Sequence, residues 1–261
     1  MSLEAFQRAL CDLVASPALA RTLRADPEWV LGRYELTPRE QRRLRTIAGQ
    51  RGMATSCSLY RVNRITPVYT LLPFTCFVLG DDLGREAELF WESYAETDLQ
   101  FKREIDCFAD FLRRRLHAGH LANPFLEEVL RFELATNVLR FLPRREIARG
   151  LSEAGSSPDD LPLWLHPLLR VVSFRHDPGE LLHYLAQMLR PPSDLARGEY
   201  FLLLDARGVE LEVKKIDPCL GRLLQAIAIG PVSSLAPEDA EALVQAGLLV
   251  RANLDVAMAD R

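Results

Sequence analysis

Residues 200–204 read YFLLL, five apolar positions in succession. A strand with one wet face alternates apolar and polar residues, so an unbroken apolar run predicts a strand covered on both sides. Asp205-Ala206-Arg207-Gly208 follows as a turn, with Gly208 able to take a positive φ. Val209, Leu211 and Val213 then alternate with Glu210, Glu212 and Lys214, the pattern of a half-buried strand reaching Ile216. Asp217 is placed to cap a helix that Pro218 begins, and Leu220, Leu223, Leu224 and Ile227 form its apolar stripe. A second helix, Pro237–Ala246, turns Ala240, Leu243 and Val244 inward and ends at Gly247.

The chain before this hairpin reads as helix. Leu3, Phe6, Leu10, Leu13 and Val14 fall at helical spacing, and short helices follow from Ala18 and from Pro27. Thr37 with Glu40 forms a capping box for the next. Arg51-Gly52 is expected to end that helix, with MATSCS as a loop before an apolar segment, Ile65–Leu79, broken by Pro67 and Pro73. Helices are expected over 83–94, 101–116 and 124–139, with 144–151 extending the bundle. GLSEAGSSPDD, residues 150–160, has linker composition and sets the expected boundary between residues 1–155 and 156–261. Beyond it, 168–176 fits a strand and 178–189 a helix. The expected class is α+β: a mostly helical N-terminal bundle and a winged-helix-like C-terminal domain of about three strands and three short helices.

Charge narrows the possible partners. At −4 the 261-residue chain has no bulk attraction for nucleic acid or anionic lipid. The helix that would enter a DNA groove reads PEDAEALVQAG, with Glu238, Asp239, Glu241 and no cation. DNA affinity rests on cations neutralising phosphates, so a winged-helix DNA-binding or regulatory role is the secondary reading. The five cysteines have no C-x-x-C spacing and fit reduced, cytoplasmic thiols. Ile65–Leu79 is too short and interrupted to span a bilayer, and the first residues do not form a signal peptide.

A strand at a sheet edge offers another use. Unpaired main-chain N–H and C=O groups along Leu211, Glu212, Val213, Lys214, Lys215 and Ile216 would template an added strand from a peptide. A groove toward Pro237, Ala240, Leu243 and Val244 would receive its apolar side chains. The alternative is an edge simply protected by Lys214 and Lys215.

The order strand-turn-strand, helix, helix, AGLL over Glu199–Val250 resembles the PqqD-like recognition element that binds leader peptides of ribosomally made natural products. SCSLYRVNRITPVYTLLPFTC (Ser56–Cys76), after a start reading SLEAFQRALCDLVASPALARTLRADPEWVLGRYELTPRE, resembles the partner subunits of multinuclear non-haem iron oxidases. Small subunits of methanobactin and 3-thiaglutamate biosynthesis are of this type, and by length and layout the chain is more similar to the latter. The resemblance implies a non-catalytic chain without a cofactor of its own. Iron would be held by a separate TIM-barrel oxidase, joined to this chain as a heterodimer. A precursor peptide would be delivered so that its cysteine is modified. Pro231–Leu235 departs from the pattern by its shortness, which implies a shallower leader groove.

The residues themselves point to no catalysis. His117 and His120 lie three apart, but Gly119 between them marks a helix ending, where solvated histidines suit the dipole. His166, His176 and His183 have no metal-ligand spacing, and His176-Asp177-Pro178 reads as a turn and cap. Tyr60, Arg61, Asn63 and Arg64 are the candidate partner-binding segment. Its arginines would meet acidic groups on the oxidase or a substrate carboxylate, or else form internal ion pairs with Asp81, Asp82 or Glu86. A stand-alone small-molecule or regulatory binding protein is the third class left open.

Overall fold

The computed structural model describes residues 3–94, 101–143, 147, 162–229 and 236–251. The chain forms two compact units, residues 1–123 and 124–261. The expected boundary near 155 is thus corrected: the helix after Asn123 packs on the sheet of the second unit. The linker-like stretch 150–160 and the short segment 231–235 lie outside the described residues, as does most of the expected helix over 144–151.

The first unit is helical: α1 (Leu3–Ala15), α2 (Pro17–Ala25), α3 (Pro27–Leu31), α4 (Pro38–Ala48), α5 (Arg51–Leu71), α6 (Pro73–Leu79), a 3-10 turn (Gly80–Asp82), α7 (Leu83–Ser93) and α8 (Phe101–His117). Proline opens α2, α3, α4 and α6, where its missing N–H costs no helical hydrogen bond. Side chains of Ser16 and Asp26 cap α2 and α3, and Thr37 with Glu40 completes the capping box of α4. Leu13, Leu23, Val30, Leu44, Met53 and Cys57 belong to one core cluster. Phe90, Phe108 and Phe111 pack as a ring group, their centroids 5.2–6.3 Å apart.

The MATSCS loop is corrected as well: residues 51–71 form one helix. Gly49 ends α4, so Arg51-Gly52 starts a helix rather than closing one. Pro67 sits inside α5 and removes a main-chain donor. Around it the Thr66 and Thr70 hydroxyls donate to the carbonyls of Val62 and Thr66, at 2.7 and 2.8 Å. Among the described residues no single helix is long and apolar enough to cross a membrane, and α5 is bent by 105° against the run Pro73–Ser93.

The second unit comprises α9 (Leu126–Phe141), β1 (Leu163–Leu165), β2 (Leu169–His176), α10 (Pro178–Ala186), β3 (Arg197–Asp205), β4 (Glu212–Ile216), α11 (Pro218–Ile229), α12 (Pro237–Gln245) and β5 (Leu249–Arg251). β2-β3-β4 form one antiparallel sheet, and β1 with β5 a second, two-stranded one. β3 is central, and Phe201, Leu202, Leu203 and Leu204 are all buried, as the unbroken apolar run requires. Gly221 of α11 lies against Phe201, and Leu224 and Ile227 share a cluster with Leu203. Phe132 of α9 meets Phe174 of β2 on the opposite face, the ring centroids 6.2 Å apart.

A Cβ on Gly221 would fall 2.2 Å from Phe201 Cγ and 2.6 Å from its Cβ. Those atoms sit at the root of a buried side chain and cannot swing away. Alanine would gain about 1 kcal/mol of helix propensity, whereas overpacking costs about 1–3 kcal/mol. Gly221→Ala is therefore expected to lower the thermal midpoint, and pairing it with Phe201→Leu to recover part of the loss. A midpoint unchanged in the single variant would show that α11 does not seat on β3 this closely.

Candidate functional site

β4 is an edge strand. It pairs with β3 from Glu212↔Asp205 to Ile216↔Phe201, and among the described residues no strand pairs with its other side. In an antiparallel ladder alternate residues direct their N–H and C=O groups away from the partner, so the free side of β4 carries a row of such groups.

The strand is shorter and wetter than its alternation implied. It begins at Glu212, not Val209, and Glu212, Val213, Lys214 and Lys215 are all exposed. Val209 is 97% and Val213 43% exposed; Leu211 and Ile216 are half-buried. Alternation identified two faces, but at the sheet edge neither helical layer reaches far enough to cover one. Gly208 has no positive φ; among the described residues that conformation belongs to Gly80, Gly119 and Gly247, with Met188 the one non-glycine.

The hairpin is held by Arg207. Its guanidinium donates to Asp205 at 2.6 and 3.0 Å and to the carbonyls of Ala246 and Gly247, at 3.3 and 2.7 Å, beyond the end of α12. Hydrogen bonds from Arg207 hold the Asp205 carboxyl below its usual range despite burial. Gly247 (φ 67°) leaves room here, since a Cβ would lie 2.6 Å from the Arg207 Nη1. On β4, Lys214 pairs with Glu212 at 2.5 Å and Lys215 with Asp177 at 2.7 Å, its ammonium lying 4.6 Å from the Tyr200 ring centroid. Those hydrogen bonds raise both lysines above their usual range, and each charge is matched by its carboxylate partner.

Of the expected groove residues on α12, Ala240 is buried, while Leu243 and Val244 are half-buried and pack into the cluster of Leu165, Leu224, Ile227 and Leu249. These side chains serve the small core under β1 and β5. Pro237 opens the helix. Asp217 accepts from the amides of Cys219 and Leu220, as its capping role requires.

The segment Tyr60–Arg64 lies on α5 in the other unit. Arg64 is 1% exposed: its Nε donates to Glu104 at 2.7 Å, its Nη1 to the Tyr94 carbonyl at 2.8 Å, and it lies over the rings of Phe90 and Tyr60. Buried in this way, Arg64 cannot offer its charge to a partner. The internal pairing is with Glu104, 40 positions away, not with Asp81, Asp82 or Glu86. Arg61 is partly exposed, 3.3 Å from Glu88 and stacked over Trp91; Asn63 is exposed and Tyr60 half-buried. Glu86, fully buried, instead accepts from Arg115 and Arg85. Burial pushes its carboxyl up, but those guanidinium bonds outweigh burial and leave it below the usual range.

Two features escaped sequence reasoning. The exposed side of α5 carries Leu59, Val62 and Tyr69, each more than half exposed, on a run where the charged residues are half-buried Arg61 and buried Arg64. His176 is buried rather than a turn residue. Its Nδ1 lies 2.5 Å from Glu128 Oε1, and Glu128 Oε2 accepts from the amides of Arg175 and His176. His117 and His120 are exposed where α8 ends. Among the described residues no group of three or more His, Cys, Asp and Glu side chains is placed to hold a metal. Comparison with protein-family models and with curated proteins gave no match.

Proposed function

We propose that this chain is a peptide-presenting accessory subunit. More narrowly, it binds the leader of a ribosomal precursor peptide by strand addition and presents the peptide's cysteine to a separate TIM-barrel multinuclear iron oxidase. The open side of β4 is the observation that carries this reading. An extended guest satisfies the free main-chain groups there, which gives affinity largely independent of side chains. Lys214 and Lys215 are paired with Glu212 and Asp177, so recognition at this edge rests on the main chain rather than on their charge. The C-terminal unit is read as winged-helix-like, with β2-β3-β4, α11 and α12 as its recognition part. The exposed apolar side of α5 is the surface offered to the oxidase. Iron and redox chemistry belong to that partner.

Val213→Pro is expected to weaken leader binding about tenfold or more, since proline removes a main-chain donor and deforms the edge. Lys214→Pro is its companion: of two neighbouring residues one amide faces β3 and the other the free side. The variant that keeps its circular dichroism spectrum should be the one that loses peptide. Calorimetry with the precursor peptide reads the result, and wild-type affinity in a folded variant of each kind would refute strand addition.

A further inference from the structure

A second site lies in the helical unit, away from any strand. A cavity of about 250 Å³ opens between α2, α4 and α5. Arg21 and Arg24 stand at its mouth from one face of α2, and Arg61 reaches it from α5. None of its lining residues is acidic. Ala48, Met53 and Cys57 form its buried apolar part, with exposed Ala54 at the rim and Gln50 and Ser58 also lining it.

Two of the three arginines are not already neutralised by the protein. Among the described residues neither Arg21 nor Arg24 pairs with a carboxylate. Arg61 is paired with Glu88 through Nη1 at 3.3 Å, its other nitrogens making no ion pair among the described residues. A neighbouring cavity of about 320 Å³ shares Arg61, yet Asp12, Glu88 and Glu92 line it and offset its cations. Two unpaired guanidinium groups and a third shared with Glu88, in a lining with no carboxylate, therefore single out the smaller cavity.

We infer that this cavity binds a small organic anion: a carboxylate or phosphate held by Arg21 and Arg24 with Arg61 beside them, and a short apolar body running past Ala54 at the rim onto Ala48, Met53 and Cys57. Guanidinium forks match both anions in bidentate geometry. At about 250 Å³ the cavity is below the usual range for drug-sized ligands, so its occupant is small. The site is independent of strand addition at β4.

Titrating the full chain with pentanoate and, separately, inorganic phosphate at ~50 mM salt tests this, because exposed charges are only modestly screened there. Chemical-shift changes should saturate at a single site for at least one probe. Arg21→Gln with Arg24→Gln should weaken that binding about tenfold or more; both side chains are exposed, so the fold should be retained. Arg42→Gln, an exposed arginine elsewhere, should leave it unchanged. Ala54→Leu distinguishes the two anions: it should displace pentanoate and spare phosphate. No saturable change with either probe, or an equal loss in Arg42→Gln, overturns the site.

Discussion

Replacing Arg64 with alanine is expected to destabilise the helical unit by about 3–5 kcal/mol, the range for breaking one side of a buried ion pair. Arg64 is 1% and Glu104 5% exposed, so the variant removes a guanidinium 2.7 Å from a carboxylate that stays out of water. The pair itself is no large source of stability, since desolvating two charges offsets most of their attraction. The penalty comes from the partner left behind, with a lost contact over Phe90 and a lost bond to the Tyr94 carbonyl adding to it. Urea denaturation should show the helical transition well below the wild-type midpoint. A loss under about 1 kcal/mol would be the value for an exposed pair, and would mean that Arg64 is not enclosed as described.

The second large effect lies in the other unit. Glu128 is 2% exposed and accepts three hydrogen bonds: from the amides of Arg175 and His176, at 2.7 and 3.1 Å, and at the His176 ring. The register of β2 against β3 shifts between Phe174 and His176. Glu128 thus fixes α9 to the strand where its own ladder is irregular. Removing a buried acceptor costs about 1–3 kcal/mol for each donor left without one. Glu128→Ala is expected to cost about 3 kcal/mol or more, and Glu128→Gln, which keeps one acceptor oxygen, clearly less. Equal losses in the two variants would show that the carboxylate's hydrogen bonds do not carry the effect.

Local rules located most of the elements. Prolines at first helical positions, the Thr37–Glu40 capping box and the apolar run 201–204 are short-range signals, and each lies where those signals place it. What sequence did not reveal depends on distance along the chain. Glu104 is 40 residues from Arg64, and Glu128 is 48 from His176. Strand β1 is three residues long, and its partner β5 is contributed from residues 249–251. Val213 shows a different limit. Alternation says which side chains share a face, but only the sheet order says whether a layer covers that face. The open side of β4 was legible as a possibility from the hairpin alone. The inward packing of Ala240, Leu243 and Val244 was legible from helical spacing, but its target, the core beneath β1 and β5, was not.

Amide hydrogen exchange of the full chain, alone and with a precursor peptide, tests strand addition most directly. Without peptide, alternate amides within 212–216 should exchange quickly while their neighbours, bonded to β3, are protected. Bound peptide should slow the fast set and leave the other unchanged. If every amide of β4 is already protected in the free chain, or if peptide protects other segments and leaves β4 as it was, the edge is not where a guest strand adds.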